Sequence, residues 1–186
     1  MATEQEYFDG AIRLDTYMAQ MESNQEKSYG VYEKFELPED PEFIELLKEK
    51  HPNILVITED WCGDAMMNNA VLRKIAEAAE LEVHCVYRDE NLELMDQYLT
   101  NGGRSIPKYI FLSADGEVLG DWGPRAAVVQ QFVEEKRSVL PGRDDPQFDL
   151  HQKTVIGEIT DGFVSREDFW LAVYDELKQK LTEVLS

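Results

Sequence analysis

The amino-acid sequence predicts an α/β sandwich built on a mixed sheet. Ile54-Leu55-Val56-Ile57 is an unbroken apolar run rich in β-branched residues, the pattern of a strand buried on both faces of a parallel sheet. Such strand signals alternate with helical stripes, which implies parallel pairing through helical crossovers. Tyr109 to Leu112, Asp115-Gly116 and Glu117 to Leu119 then read as strand, tight turn and strand, a hairpin that adds an antiparallel edge. At 186 residues, 43% of them hydrophobic, the chain is long and apolar enough to fill one core, and a disordered chain is excluded.

The elements follow in order. Tyr7, Ala11, Leu14, Met18 and Met21 recur at spacings of four and three, predicting one amphipathic N-terminal helix. Residues 22 to 37 fit two readings, because Tyr29, Val31, Phe35 and Leu37 alternate as in a strand while a helix-turn pattern also survives. Asp40-Pro41 supplies an N-cap and a first-turn proline, with Phe43, Ile44 and Leu47 on one face. After the buried strand, residues 64 to 80 form a long helix with Val71, Leu72, Ile75 and Ala79 inward. A strand at 81 to 87 and a short helix at 91 to 99 come next, closed by Asn101-Gly102-Gly103. Beyond the hairpin, Pro124 is expected to open a helix carrying Val128, Val129, Phe132 and Val133. Residues 141 to 160 are rich in Pro, Gly and Asp and read as a loop. Ser165-x-x-Asp168 resembles a capping box before a terminal helix marked by Trp170, Val173, Leu177, Leu181 and Val184.

Charge narrows the range of partners. Eighteen Lys and Arg against 38 Asp and Glu leave a net charge of −20, which repels phosphate backbones and anionic lipid surfaces. Neither nucleic acid nor a membrane is expected as a partner. No apolar run approaches the roughly 18 residues of a membrane span, and the acidic N-terminus lacks the basic start of a secretory signal. A cytoplasmic protein is the expectation. Two cysteines, Cys62 and Cys85, and three scattered histidines fall short of a structural metal site, so no metal and no cofactor are expected.

The chemistry concentrates at Trp61-Cys62-Gly63-Asp64, where the buried strand ends and the long helix begins. There a thiol faces unpaired backbone N–H groups and the positive end of the helix dipole, both of which favour the nucleophilic thiolate. Glu59, Asp60 and Asp64 oppose that effect, and the same acids also suit a solvated rim. About 45 positions later, Ser105-Ile106-Pro107 opens an apolar strand. With the element order, these residues resemble the thioredoxin superfamily. The stretches Glu59 to Asp64, Gly103 to Lys108 and Trp122-Gly123-Pro124-Arg125 resemble a narrower bacterial thioredoxin-like family whose usual site is Trp-Cys-Gly-Asp-Cys.

The resemblance implies a three-layer thioredoxin-like sandwich over residues 40 to 137. A helical extension at 1 to 39 and a loop and helix at 138 to 186 complete a single domain of 186 residues. It also implies a cis peptide before Pro107, Cys62 as the catalytic thiol, and a substrate surface formed by Trp61, Gly63, Asp64, Ile106 and Pro107. Three departures matter. Ala65 replaces the second motif cysteine, Val56 stands six positions before Cys62 where thioredoxins often bury an Asp, and Cys85 stands where they often bury a Lys. Cys85 is therefore expected in the core rather than as a partner for Cys62.

Two functions follow. In the first, Cys62 forms a mixed disulfide with a protein or low-molecular-weight substrate, and an external thiol resolves it because Ala65 cannot. In the second, the Trp61/Pro107 groove serves as a redox-inactive binding module. No Gly-rich phosphate loop is present, and no histidine is placed to serve Cys62 as in a thiol hydrolase.

Overall fold

The computed structural model describes all residues from Met1 to Ser186. Its central strand is the predicted apolar run, β2 (Asn53–Thr58), flanked by β3 (Val83–Tyr87) in parallel and β4 (Lys108–Leu112) antiparallel. The hairpin partner β5 (Val118–Trp122) lies at one edge, and a two-residue strand β1 (Ile12–Arg13) pairs antiparallel with β3 at the other. The order is β1-β3-β2-β4-β5. Strand side chains alternate between two cores, as a period of two requires. Ile54, Val56, Tyr109 and Phe111 enter a large core, whereas Leu55, Ile57, Ile110 and Leu112 enter a small one.

The small core is covered by α1 (Glu4–Gly10) through Phe8 and by α6 (Leu92–Met95) through Leu94 and Met95. The large core takes α2 (Leu14–Ala19), α3 (Gln25–Lys34), α4 (Pro41–Lys50), α5 (Gly63–Ala79), α7 (Ala127–Arg137), α8 (Phe148–Ser165) and α9 (Glu167–Leu185). Helices thus cover both faces of a mixed sheet, giving three layers. On α9, Trp170 is almost fully buried and its indole N–H donates to the Phe163 carbonyl at 2.8 Å. Burying such a side chain is favourable by roughly 1.5–3 kcal/mol, so α9 belongs energetically to the core. No helix is long and apolar enough to cross a membrane.

Several local expectations are corrected. The N-terminal stripe is not one helix. Tyr7 and Ala11 pack on the small core while Leu14, Met18 and Met21 pack on the large one, so the chain must pass around the sheet edge. It does so through β1, which separates α1 from α2. Within 22 to 37 the helical reading holds as α3, with buried Ser28 donating from Oγ to the Met66 carbonyl at 2.8 Å.

Pro124 does not open a helix: α7 starts at Ala127, and the Gly123–Pro124 peptide is cis. Much of the expected loop is α8, whose Val155, Ile159 and Phe163 form an inward stripe at a spacing of four. Gly162 lets α8 approach α7 closely, since a Cβ there would stand 2.8 Å from the Phe132 ring. Ser165 ends α8 and donates to the Asp161 carbonyl, so the expected capping box is absent and Arg166 occupies the N-cap of α9.

Candidate functional site

The elbow between β2 and α5 is braced from the N-terminal segment and from the turn after β3. Asp60 accepts the Glu22 amide at 2.8 Å through Oδ2, and its carbonyl accepts Asn24 Nδ2 at 3.0 Å. Glu59 accepts the Asp89 amide at 2.9 Å. Both acids stay half-buried and bind backbone donors there. Trp61 remains 55% exposed, with the Arg88 guanidinium 4.9 Å from its ring centroid.

Cys62 is the N-cap of α5 and only 8% exposed. Its Sγ accepts the Ala65 amide at 3.5 Å, the role a polar N-cap side chain normally plays. The thiol donates to the Ile106 carbonyl at 3.4 Å. A carbonyl acceptor stabilises the protonated thiol, and burial disfavours the thiolate more strongly. Burial, then the Asp64 charge, push the Cys62 thiol up to about 11, against the pull of the Ala65 and Asp64 amides and Arg125. The helix terminus loses the contest.

Asp64 departs from its expected place on a solvated rim. It is 8% exposed and receives two hydrogen bonds from Arg125, Nε to Oδ1 at 2.7 Å and the second guanidinium nitrogen to Oδ2 at 2.9 Å. Such a two-point pairing compensates much of a buried carboxylate's desolvation. Burial nevertheless pushes the Asp64 carboxyl above its usual range. Arg125 is held in turn by Gln130 at 2.9 Å.

The facing loop carries a cis Ile106–Pro107 peptide. Trp61, Cys62, Gly63, Asp64 and Ile106 line one cleft of about 490 Å³. Pro107 lies buried outside that lining, so of the expected substrate surface it alone is withdrawn. Its carbonyl instead abuts Gly123, where a Cβ would come within 2.2 Å of the oxygen at a φ of +131°. Only glycine relieves that approach and also tolerates that backbone. Asn68 Nδ2 donates to the Pro124 carbonyl at 2.7 Å, tying the post-hairpin loop to α5.

Cys85 is 2% exposed, paired in register with Val56, and belongs to the large core while Cys62 belongs to the small one. Both are free thiols. Burial pushes the Cys85 thiol well up. No group of three or more His, Cys, Asp or Glu side chains is arranged to hold a metal ion.

The sequence reading missed a wall of the cleft. Ile156, Ile159, Thr160 and Phe163 of α8 line it, as do Lys27 and Arg137. The four-residue spacing of Val155, Ile159 and Phe163 was a signal for that helix, obscured by Gly157 and Gly162. Arg125 lay within a quoted motif, but nothing local marked it as the partner of Asp64.

A family model described as thioredoxin matches residues 11–137. The chain belongs to the thioredoxin family. The match begins at the sheet-edge segment, so β1 falls within the thioredoxin region. Two solved structures share the thioredoxin-like α/β fold. An HIV epitope-scaffold is 18% identical with a TM-score of 0.68, covering 98% of this chain and 99% of that one. A protein of unknown function from Pseudomonas aeruginosa is 19% identical with a TM-score of 0.61, covering 95% and 99%. No curated protein matches the chain. Within the thioredoxin frame, Ala65 is 1% exposed and leaves Cys62 as the sole thiol at the cleft.

Proposed function

We propose that this thioredoxin-family protein performs monothiol thiol–disulfide exchange through Cys62. The observation that carries the reading is the placement of the sulfur among the cleft-lining groups, fixed between the Ala65 amide and the Ile106 carbonyl. A substrate disulfide entering the cleft exchanges one S–S bond for another: Cys62 loses its proton, bonds to one substrate sulfur, and the other leaves as a thiolate that takes up a proton. An external thiol then releases Cys62 by the same exchange. Trp61, Gly63, Asp64 and Ile106 form the substrate surface, with Pro107 fixing the loop from behind. Two free cysteines suit a reducing compartment, which supports a cytoplasmic location. The shared large core of α8, α9 and the sheet supports one functional unit over residues 1–186.

One observation favours the second reading, a redox-inactive binding module. A thiol held at about 11 leaves roughly one molecule in ten thousand as thiolate at pH 7. Whole-protein mass spectrometry after exposure to 2-hydroxyethyl disulfide separates the two. Exchange predicts one mixed-disulfide adduct on the wild type, reversed by added thiol, and none on Cys62→Ser. A wild type that stays unmodified in its folded state over hours at pH 8 gives the lead to the binding module.

A further inference from the structure

The charge around Cys62 runs against the charge of the molecule. The chain carries 18 cationic and 38 acidic side chains, yet the cleft is lined by Lys27, Arg88, Arg104, Arg125 and Arg137 against the single acid Asp64. Six charged positions drawn at the chain's own ratio would include about two cations. Arg125 neutralises Asp64, Arg104 pairs with Asp96 at 2.8 Å, and Arg88 pairs with Asp89 at 3.0 Å. Lys27 and Arg137 take part in no ion pair. They come from α3 and the end of α7, elements far apart in sequence that the fold brings to one cleft.

The field also has a boundary. On the other side of Trp61 a second recess is lined by Glu22, Glu59, Asp60, Asp89 and Glu90 with no cation. The acids of that recess disfavour an anion, and the cations of the Cys62 cleft favour one. At physiological ionic strength the screening length is about 8 Å, so acids on distant parts of the surface weigh little against cations on the cleft wall. A volume of about 490 Å³ falls within the range of small-molecule sites.

We propose that the cleft over Cys62 is a receptor for a small, multiply anionic molecule, and that the exchange substrate is a low-molecular-weight disulfide bearing two or more carboxylates. The second clause rests on the exchange reading; the first does not. The chemistry is the exchange already balanced above, with an anionic thiolate as leaving group. Lys27 and Arg137 supply the unneutralised charge, while Arg88 and Arg104 contribute as members of ion pairs.

Two disulfides of nearly equal size and opposite charge make the test: 3,3′-dithiodipropionate, a dianion, and cystamine, a dication. In the first arm, isotope-labelled Cys62→Ser protein is titrated with each, and amide shifts are followed without any covalent chemistry. The dianion should shift Gly63 and Ile106 saturably, and cystamine should not. Lys27→Glu with Arg137→Glu should weaken the dianion at least tenfold without changing the circular-dichroism spectrum. Saturation by neither disulfide, or equal or better saturation by cystamine, overturns the anion site. In the second arm, the rate of adduct formation on wild-type Cys62 is read by mass. The anion site predicts a dianion rate at least tenfold above the cystamine rate, the reverse of what a chain of net charge −20 gives through its overall field. A faster cystamine reaction overturns this inference and leaves exchange standing. Dianion binding in the first arm with no adduct from either disulfide in the second leaves the anion site standing and removes exchange.

Discussion

The protonation of Cys62 offers the sharpest handle on the site, and Asp64→Asn is the perturbation that turns it. Two causes raise the thiol from 9.0 to about 11, burial first and the Asp64 charge second. Thiolate is the form that reacts with iodoacetamide, so at pH 7 Cys62 should be alkylated about 100-fold more slowly than a thiol at the ordinary value. Between pH 7 and pH 10 its rate should rise about 1,000-fold, tenfold per unit, without a plateau. Asn keeps the shape of Asp64 but removes its charge and leaves that of Arg125, a change that favours the thiolate twice over. Because burial remains, the gain at pH 7 should exceed roughly threefold yet fall short of the roughly 100-fold that full relief would bring. The assay is the second-order alkylation rate of Cys62 by peptide mass mapping from pH 6 to 10, on protein whose fold is checked by circular dichroism. Cys85, buried in the large core, serves as the internal unreactive control. An Asp64→Asn profile that coincides with the wild type or bends at higher pH refutes the electrostatic account. So does a wild-type bend below pH 9, which would mean that the helix terminus outweighs burial.

Three further outcomes follow from the same geometry. Ala65→Cys should form a disulfide between Cys62 and the introduced thiol and reduce insulin with dithiothreitol faster than the wild type, because attack on the mixed disulfide becomes intramolecular; a new disulfide without a rate gain would show that the cleft does not present substrates for turnover. Arg125→Ala leaves the Asp64 carboxylate buried and unpaired and should cost about 3–5 kcal/mol in urea unfolding. The double change Asp64→Leu with Arg125→Met should cost less than that single one, and equal losses would refute the pairing argument. Gly123→Ala drives a methyl into the Pro107 carbonyl and should destabilise by at least about 2 kcal/mol while altering the amide shift of Ile106; a neutral melting temperature would show that the loop yields without cost.

Features encoded by near neighbours along the chain were legible before the fold was known. The apolar run at Ile54–Ile57 already specified a doubly buried strand, the Asp115-Gly116 turn a hairpin, and the inward stripe of 64 to 80 the helix that begins beside Cys62. The core position of Cys85 was legible through the thioredoxin resemblance and the burial tendency of a free cysteine, whereas its pairing with Val56 came only with the sheet register. Matters that depend on residues far apart were settled only in three dimensions. The stripe from Tyr7 to Met21 could not reveal that its halves serve opposite faces of the sheet, since periodicity reports spacing and not direction. Asp64 looked like a first-turn acid until Arg125, 61 positions later, met it in a buried two-point pair. The balance at Cys62 followed from the same cause: helix terminus and nearby acids were visible in one dimension, but burial is the largest influence, and burial exists only once the sulfur packs in the small core against the Ile106 loop. The cationic cleft is likewise absent from any stretch of sequence, because the Lys and Arg side chains that form it are spread from position 27 to position 137 and become one field only when the chain folds.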